Sequence, residues 1–259
     1  DAHDAVYALA MRNRTDSLKP LKEGVAEALV RVAEAAQRGG GIVGTPSGFA
    51  DLDKLTAGFE AGQLVILAAR PGMGKTSFAL NLAHNAGVKN RLPVAIFSLE
   101  MPQSDLALRM ICAEARVSLG KARAGTLDDE EFGQFVRAST EFNDVPIYID
   151  DSGSATVPEI RARCMRFSGK EKKNLGLVII DELGHLPIDI DGAGPLFQAG
   201  ADGYETRSVI SASNPESGRW GDVFGDGDIA AAVIDRIVHH GRILRFHGES
   251  YRNRHSLMK

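Results

Sequence analysis

The chain has 259 residues, 44% hydrophobic and 25% charged, which suits one large globular α/β domain with an appendage and excludes a disordered or fibrous chain. Its formal net charge of −4 gives no general electrostatic reason to bind nucleic acid, so any DNA contact has to come from a local patch. Two distant cysteines in helical-looking sequence, Cys112 and Cys164, argue against a disulfide or zinc site and for two buried thiols in a reducing cytosol, and no run of about 18 apolar residues offers a membrane span.

No signal-peptide pattern opens the chain, so a cytoplasmic location is expected; because the first residue is Asp1 and not methionine, a fragment of a longer chain is the expectation. Residues 5–38 read as a helical arm. Val6, Leu9, Leu21, Val25, Ala28, Leu29 and Val32 fall roughly on one face, and Pro20 divides the arm into two pieces. Gly39-Gly40-Gly41 ends it as a joint. The expected organisation is an arm over 1–38 and a core over 39–259.

In the core, short apolar runs at 64–68, 94–99, 147–149, 177–180, 209–212 and 243–246 alternate with helical patterns. Continuous apolar strands separated by helices predict a parallel sheet buried on both faces.

The first of these strands leads into Ala69-Arg70-Pro71-Gly72-Met73-Gly74-Lys75-Thr76, a Walker A spacing with Ala69 at the usual first glycine. Ser77 follows, in a helix predicted over 77–84. Each residue type has a chemical reason. Gly72 and Gly74 let backbone N–H groups approach phosphates, and the helix N-terminus favours the anion. Lys75 supplies a cation for the β and γ phosphates, and the Thr76 hydroxyl is a Mg²⁺ ligand. Ala69 through Ser77 is therefore the candidate site for a nucleoside triphosphate, taken as ATP with Mg²⁺.

Residues 177–180 run apolar into Asp181-Glu182, a Walker B pattern. Asp181 is the candidate partner of Mg²⁺ and Glu182 the candidate base for the attacking water. Glu100 is the second candidate base. It follows the strand at 94–99, and strand C-termini in a parallel sheet open onto the ligand crevice. Adjacent helical residues point about 100° apart, so His239 and His240 do not read as a metal site. Asp189 with Asp191, and Asp226 with Asp228, read as loop acids rather than calcium ligands. Arg242, Arg245, Arg252, Arg254 and Lys259 cluster with Phe246 and Tyr251 near the C-terminus, where a phosphate contact and a solvated tail are equally open.

Two resemblances emerge from these residues. From residue 5 to about 175 the chain resembles the motor half of bacterial replicative helicases of the DnaB type. The similarity is carried by Tyr7-Ala8-Leu9, by residues 12–22, by Gly48-Phe49-Ala50-Asp51-Leu52-Asp53, by residues 68–76 and by Phe97-Ser98-Leu99-Glu100-Met101. It implies that Ala69 is normal, that the arm packs on the next subunit of a hexameric ring, and that Glu100 matches the catalytic base. From about 176 to 254 the chain resembles IstB-like transposition helper ATPases, relatives of the helicase loader DnaC in the AAA+ group. That series includes residues 181–187, Gly194-Pro195-Leu196-Phe197-Gln198, Ser213-Asn214-Pro215, residues 220–226, residues 235–240 and Gly248-Glu249-Ser250-Tyr251-Arg252. It implies that Asn214 is a sensor facing the γ phosphate or its water, and Arg236 an arginine finger acting on a neighbour's nucleotide. Read without the resemblance, Asn214-Pro215 is also a turn signal and Arg236 also a helix-end cation.

The expected fold is an α/β, three-layer P-loop NTPase, RecA-like or AAA+-like, with a parallel sheet and an N-terminal helical arm. In both families a further strand lies between the Walker A and Walker B strands. The expected function is an ATP-dependent DNA motor, a replicative-helicase-like ATPase working as a homo-oligomeric ring. The alternative is an IstB/DnaC-like, ATP-switched helper that binds DNA and recruits a transposase or helicase. The residues slightly favour Glu182 over Glu100 as base, because Glu182 directly follows Asp181.

Overall fold

The computed structural model describes residues 20–37, 42–60, 63–69, 72–181 and 208–213. The chain divides into two units, Asp1–Val43 and Gly44–Lys259. In the first, α1 (Leu21–Gln37) starts directly after Pro20, where a proline suits a helix entry. Its apolar residues Leu21, Val25, Leu29 and Val32 are exposed. The predicted arm residues 5–19 and the glycine joint lie outside the described residues.

Among the described residues the second unit holds five parallel strands: β1 (Leu64–Ala68), β2 (Val94–Ser98), β3 (Ile147–Asp150), β4 (Leu177–Asp181) and β5 (Ser208–Ser213). Their order across the sheet is β1-β5-β4-β2-β3. All five coincide with predicted apolar runs to within one residue at either end, and the run at 243–246 lies outside the described residues. β2 and β4 are buried along their whole length, terminal Ser98 and Asp181 included, as apolar runs with both faces covered must be. β5 is the further strand between the P-loop strand and the Walker B strand. It pairs with β1 from Leu64↔Val209 to Ala68↔Ser213, and with β4 from Leu177↔Ser208 to Asp181↔Ala212.

Around the sheet lie α2 (Ala50–Thr56), α3 (Lys75–His84), α4 (Gln103–Ala115), α5 (Leu119–Ala124), α6 (Asp129–Thr140) and α7 (Val157–Glu171). A π-helical turn, Asn85–Lys89, continues α3. The main core joins Leu67, Leu82, Ala83, Ile96, Leu106, Ile179 and Ile210. A second, smaller core of Cys112, Ala115, Val117 and Ala138 binds α4, α5 and α6 together. Capping boxes start α6, at Asp128 with Glu131, and α7, at Thr156 with Glu159; each satisfies two N–H groups that a helix start leaves open. Cys112 and Cys164 are buried and form no disulfide, as the sequence predicts. Burial pushes the Cys112 thiol above its ordinary pKa, against the opposing charge of Arg123. No described helix is long and apolar enough to cross a membrane.

Candidate active site

β1 delivers the chain to the phosphate loop and α3 takes it away. Gly72 and Gly74 hold φ of 81° and 85°, in the left-handed region that favours glycine. An added Cβ at Gly74 would meet no protein atom within 4 Å, so the backbone angle, not crowding, demands glycine there. Gly74 is the N-cap of α3, which begins with Lys75 two residues earlier than the predicted 77. Lys75 is 6% exposed. A lysine is rarely that buried unless something anionic or polar engages it.

Thr76 sits in the first turn of α3, and its hydroxyl donates to Asp181 on β4, at 3.1 Å to Oδ2 and 3.3 Å to Oδ1. Asp181 is 3% exposed and closes the C-terminal end of β4. A helix N-terminus, two left-handed glycines, a buried lysine and a hydroxyl–carboxylate pair are the donor set that a magnesium-bound triphosphate requires. Among the described residues no group of three or more His, Cys, Asp and Glu side chains is arranged to hold a metal. Thr76 and Asp181 suit Mg²⁺ instead, which takes one or two protein ligands and completes its shell with phosphate oxygens and water.

The neighbouring strand brings Glu100 to the same edge of the sheet. Ser98, the last residue of β2, is in register with Asp181, and Glu100 lies two residues further on, exposed. The Ser98 hydroxyl donates to the Met101 carbonyl at 2.7 Å and accepts from the Met101 N–H at 3.1 Å. Asp151, just past β3, accepts the N–H of Gln103 at the start of α4, at 2.8 Å.

A loop braces α3 from the side. The buried Asp53 carboxylate accepts from the N–H groups of Ser47 at 2.8 Å and Gly48 at 3.1 Å. Asn85, at the end of α3, donates to the Ser47 carbonyl at 2.8 Å, and the rings of Phe49 and Phe78 stack at 5.1 Å. At the same helix end His84 Nε2 lies 2.9 Å from Glu114 Oε2 on α4.

Of the predicted site residues, the structure brings together Gly72, Gly74, Lys75, Thr76 and Asp181 around the start of α3, with Ala69, Met73 and Ser77 flanking them and Glu100 on the adjacent edge. Arg70, Pro71, Glu182, Asn214, Arg236 and the basic C-terminal cluster lie outside the described residues. Sequence reasoning missed Ser98, Asp53 and Asn85. Gly48 and Asp53 stood in a run singled out for resemblance alone; a glycine five residues before an aspartate was the available signal of a carboxylate-capped turn.

Fold and site together define a P-loop nucleotide-binding domain with a RecA-like parallel sheet. The DnaB-like helicase C terminal domain matches residues 44–191, more than half of the chain, and the chain belongs to that family. The IstB-like ATP binding protein family matches residues 165–259, so the two matches overlap on α7 and β4. The replicative DNA helicase DnaC of Bacillus subtilis (strain 168) is 39% identical over 183 residues, covering 71% of this chain and 40% of that protein. The replicative DNA helicase DnaB of Geobacillus stearothermophilus is 38% identical with the same coverage. The chain thus spans 40% of the length of these relatives. Among solved structures, the ATPase domain of G40P aligns with a TM-score of 0.66 at 29% identity, covering 77% of this chain and 74% of that one. A DnaB-like replicative helicase, solved to study its interactions with primase, aligns with a TM-score of 0.63 at 30% identity, covering 73% and 47%.

Proposed function

We propose that the chain is the ATP-hydrolysing motor of a DNA helicase, working on DNA as a homo-oligomeric ring, with ATP and Mg²⁺ bound at the start of α3. The observation that supports this reading is the hydrogen bond between Thr76 on α3 and Asp181 on β4, since a hydroxyl and a carboxylate side by side suit a nucleotide-bound Mg²⁺. Membership of the DnaB-like family supports the motor role.

In this reading the α3 N-terminus and the N–H groups after Gly72 and Gly74 bind the phosphate oxygens. Lys75 neutralises charge on the β and γ phosphates. Thr76 and Asp181 would hold Mg²⁺, which when bound would neutralise phosphate charge. Against the slight preference of the local sequence for Glu182, we assign the base to Glu100, because membership of the DnaB-like family supports the position that matches the helicase base, and we keep Glu182 second. Glu100 takes the proton of the attacking water at the C-terminal edge of β2. Asn214 is proposed as the γ-phosphate sensor and Arg236 as the finger reaching a neighbouring subunit's nucleotide. The exposed apolar residues of α1 support a role for the arm in assembly.

The match to IstB-like ATP binding proteins over 165–259 favours a second reading, an ATP-switched helper that grips duplex DNA without separating it. Strand displacement separates the two. The motor unwinds a forked duplex only with hydrolysable ATP. ATP-dependent duplex binding without any displaced strand would replace the motor with the helper.

A further inference from the structure

Glu100 is exposed and stands at the tip of a short turn, so its own side-chain contacts do not fix where its carboxylate points. The backbone that carries it, in contrast, is tied at both ends. Ser98 is 1% exposed and is the one hydroxyl in the apolar strand Val94–Ser98. A hydroxyl buried that deeply is costly unless it is hydrogen-bonded. Both of its capacities are spent within three residues, as donor to the Met101 carbonyl and acceptor from the Met101 N–H. This closes the turn Ser98-Leu99-Glu100-Met101 on itself. Pro102 follows with φ of −66°, and Gln103 N–H then donates to Asp151, which belongs to the loop beyond β3. The same loop lies against the turn, since a Cβ on Gly153 would sit 3.8 Å from the Leu99 carbonyl oxygen.

We propose that Ser98 and Asp151 are positioning residues that hold the Glu100 backbone at the sheet edge on which Asp181 also lies, an inference that rests on the reading of Glu100 as the base. Ser98 fixes the turn from β2, and Asp151 fixes its far end from the adjacent strand's loop. A base must stand within about 3 Å of the proton it takes. Displacement of a reacting group by about 1 Å is worth up to about 10²-fold in rate. Neither residue contacts the α3 N-terminus in the bonds described above, so their loss acts on turnover and spares nucleotide binding.

The test uses the 259-residue chain, with turnover and ATP affinity measured for Ser98→Ala, Asp151→Ala, Asp151→Asn, Glu100→Gln and the double variant Ser98→Ala with Glu100→Gln. Ser98→Ala and Asp151→Ala are expected to lower kcat by roughly ten- to a hundredfold. ATP affinity is expected to stay within about twofold, since the groups that bind phosphate are untouched. Asp151→Asn keeps an oxygen acceptor for Gln103 and is expected to restore turnover. Ser98→Ala is expected to add nothing in the Glu100→Gln background, because it acts through the glutamate. Wild-type kcat in Ser98→Ala overturns the proposal. So does an equal fold-loss with and without Glu100, or a loss of affinity that matches the loss of turnover. If Glu100→Gln itself keeps full turnover, the assignment of the base falls and the positioning role with it. If Glu100→Gln is inactive while Ser98→Ala and Asp151→Ala are not, only the positioning role falls.

Discussion

Thr76 and Asp181, separated by 105 positions in the chain, meet through a hydrogen bond from the threonine hydroxyl to the aspartate carboxylate. Thr76→Val removes one proposed ligand and Asp181→Asn removes the negative charge of the other, each nearly conserving shape. A metal ion at such a site supplies several kcal/mol of transition-state stabilisation, so each variant is expected to lose about 10²-fold or more in turnover. ATP affinity measured with Mg²⁺ and with chelator should differ in the wild type and converge in both variants. A wild-type magnesium response in Asp181→Asn would remove this residue from the metal site.

Lys75→Ala takes away the cation proposed for the β and γ phosphates. Hydrogen bonds to charged groups are worth about 1.5–3 kcal/mol, so affinity for labelled ATP should fall by roughly ten- to a hundredfold. Equal affinity in variant and wild type would remove the phosphate site from α3.

The two glutamates give opposite outcomes. With Glu100 as base, Glu100→Gln loses turnover by about 10²-fold or more while ATP still binds, and Glu182→Gln stays near normal. The reverse pattern assigns the base to Glu182 and the chemistry to the IstB-like manner.

The Asp53 brace is a stability feature. Asp53→Ala leaves the Ser47 and Gly48 N–H groups without their carboxylate and should cost about 2–3 kcal/mol. Gly48 holds φ of 79°, and a Cβ there would fall 2.2 Å from Asn85 Nδ2. Gly48→Ala should therefore cost about 2 kcal/mol or more from backbone angle and clash together. In a domain of this size each variant should melt several degrees lower, at about 2–4 °C per kcal/mol. An unchanged melting temperature in Gly48→Ala would contradict the close approach to Asn85.

Asp150 carries a pH dependence with a definite sign. Burial alone would raise its carboxyl, but hydrogen bonds from Arg163 and Ser152 outweigh that and hold it below its ordinary value of 3.8. A folded pKa below the unfolded one means stability that is present above about pH 4 and lost as pH falls through the folded value. Both side chains are about one third exposed, so the contribution is about 1 kcal/mol or less. Arg163→Ala should be less stable than wild type at pH 6, and the gap should narrow as denaturation midpoints are followed down to about pH 3. A gap that stays constant with pH would assign the loss to packing of Arg163, not to the pair.

The five described strands were legible because each is a continuous apolar run, and the phosphate loop because its spacing dictates its chemistry. The strand order was not legible in local pattern; what placed a strand between β1 and β4 at the sequence level was family resemblance. The bundle of α4, α5 and α6 was not legible, since its core joins Cys112, Ala115, Val117 and Ala138 with Leu108, Ile111 and Phe135 from separate helices, a meeting that the periodicity of any one helix does not show. Ser98 looks like any serine at a strand end, and only its two bonds to Met101 distinguish it. Asp53 and Asn85 gain their meaning from partners that local periodicity does not show.

The place of β5 sets a schedule for synthesis. β1 through β4 leave the ribosome first, yet among the described strands β1 joins the sheet only through β5. Until residues 182–207 have been made and β5 follows, β1 and β4 each lack the neighbour that β5 provides, and an unpaired strand edge invites wrong pairing and chaperone capture. Thr76 follows one of these strands and Asp181 ends the other. A nascent chain stalled in that interval has no described strand to link β1 with β4, so the proposed nucleotide site is expected to assemble only when β5 closes the gap.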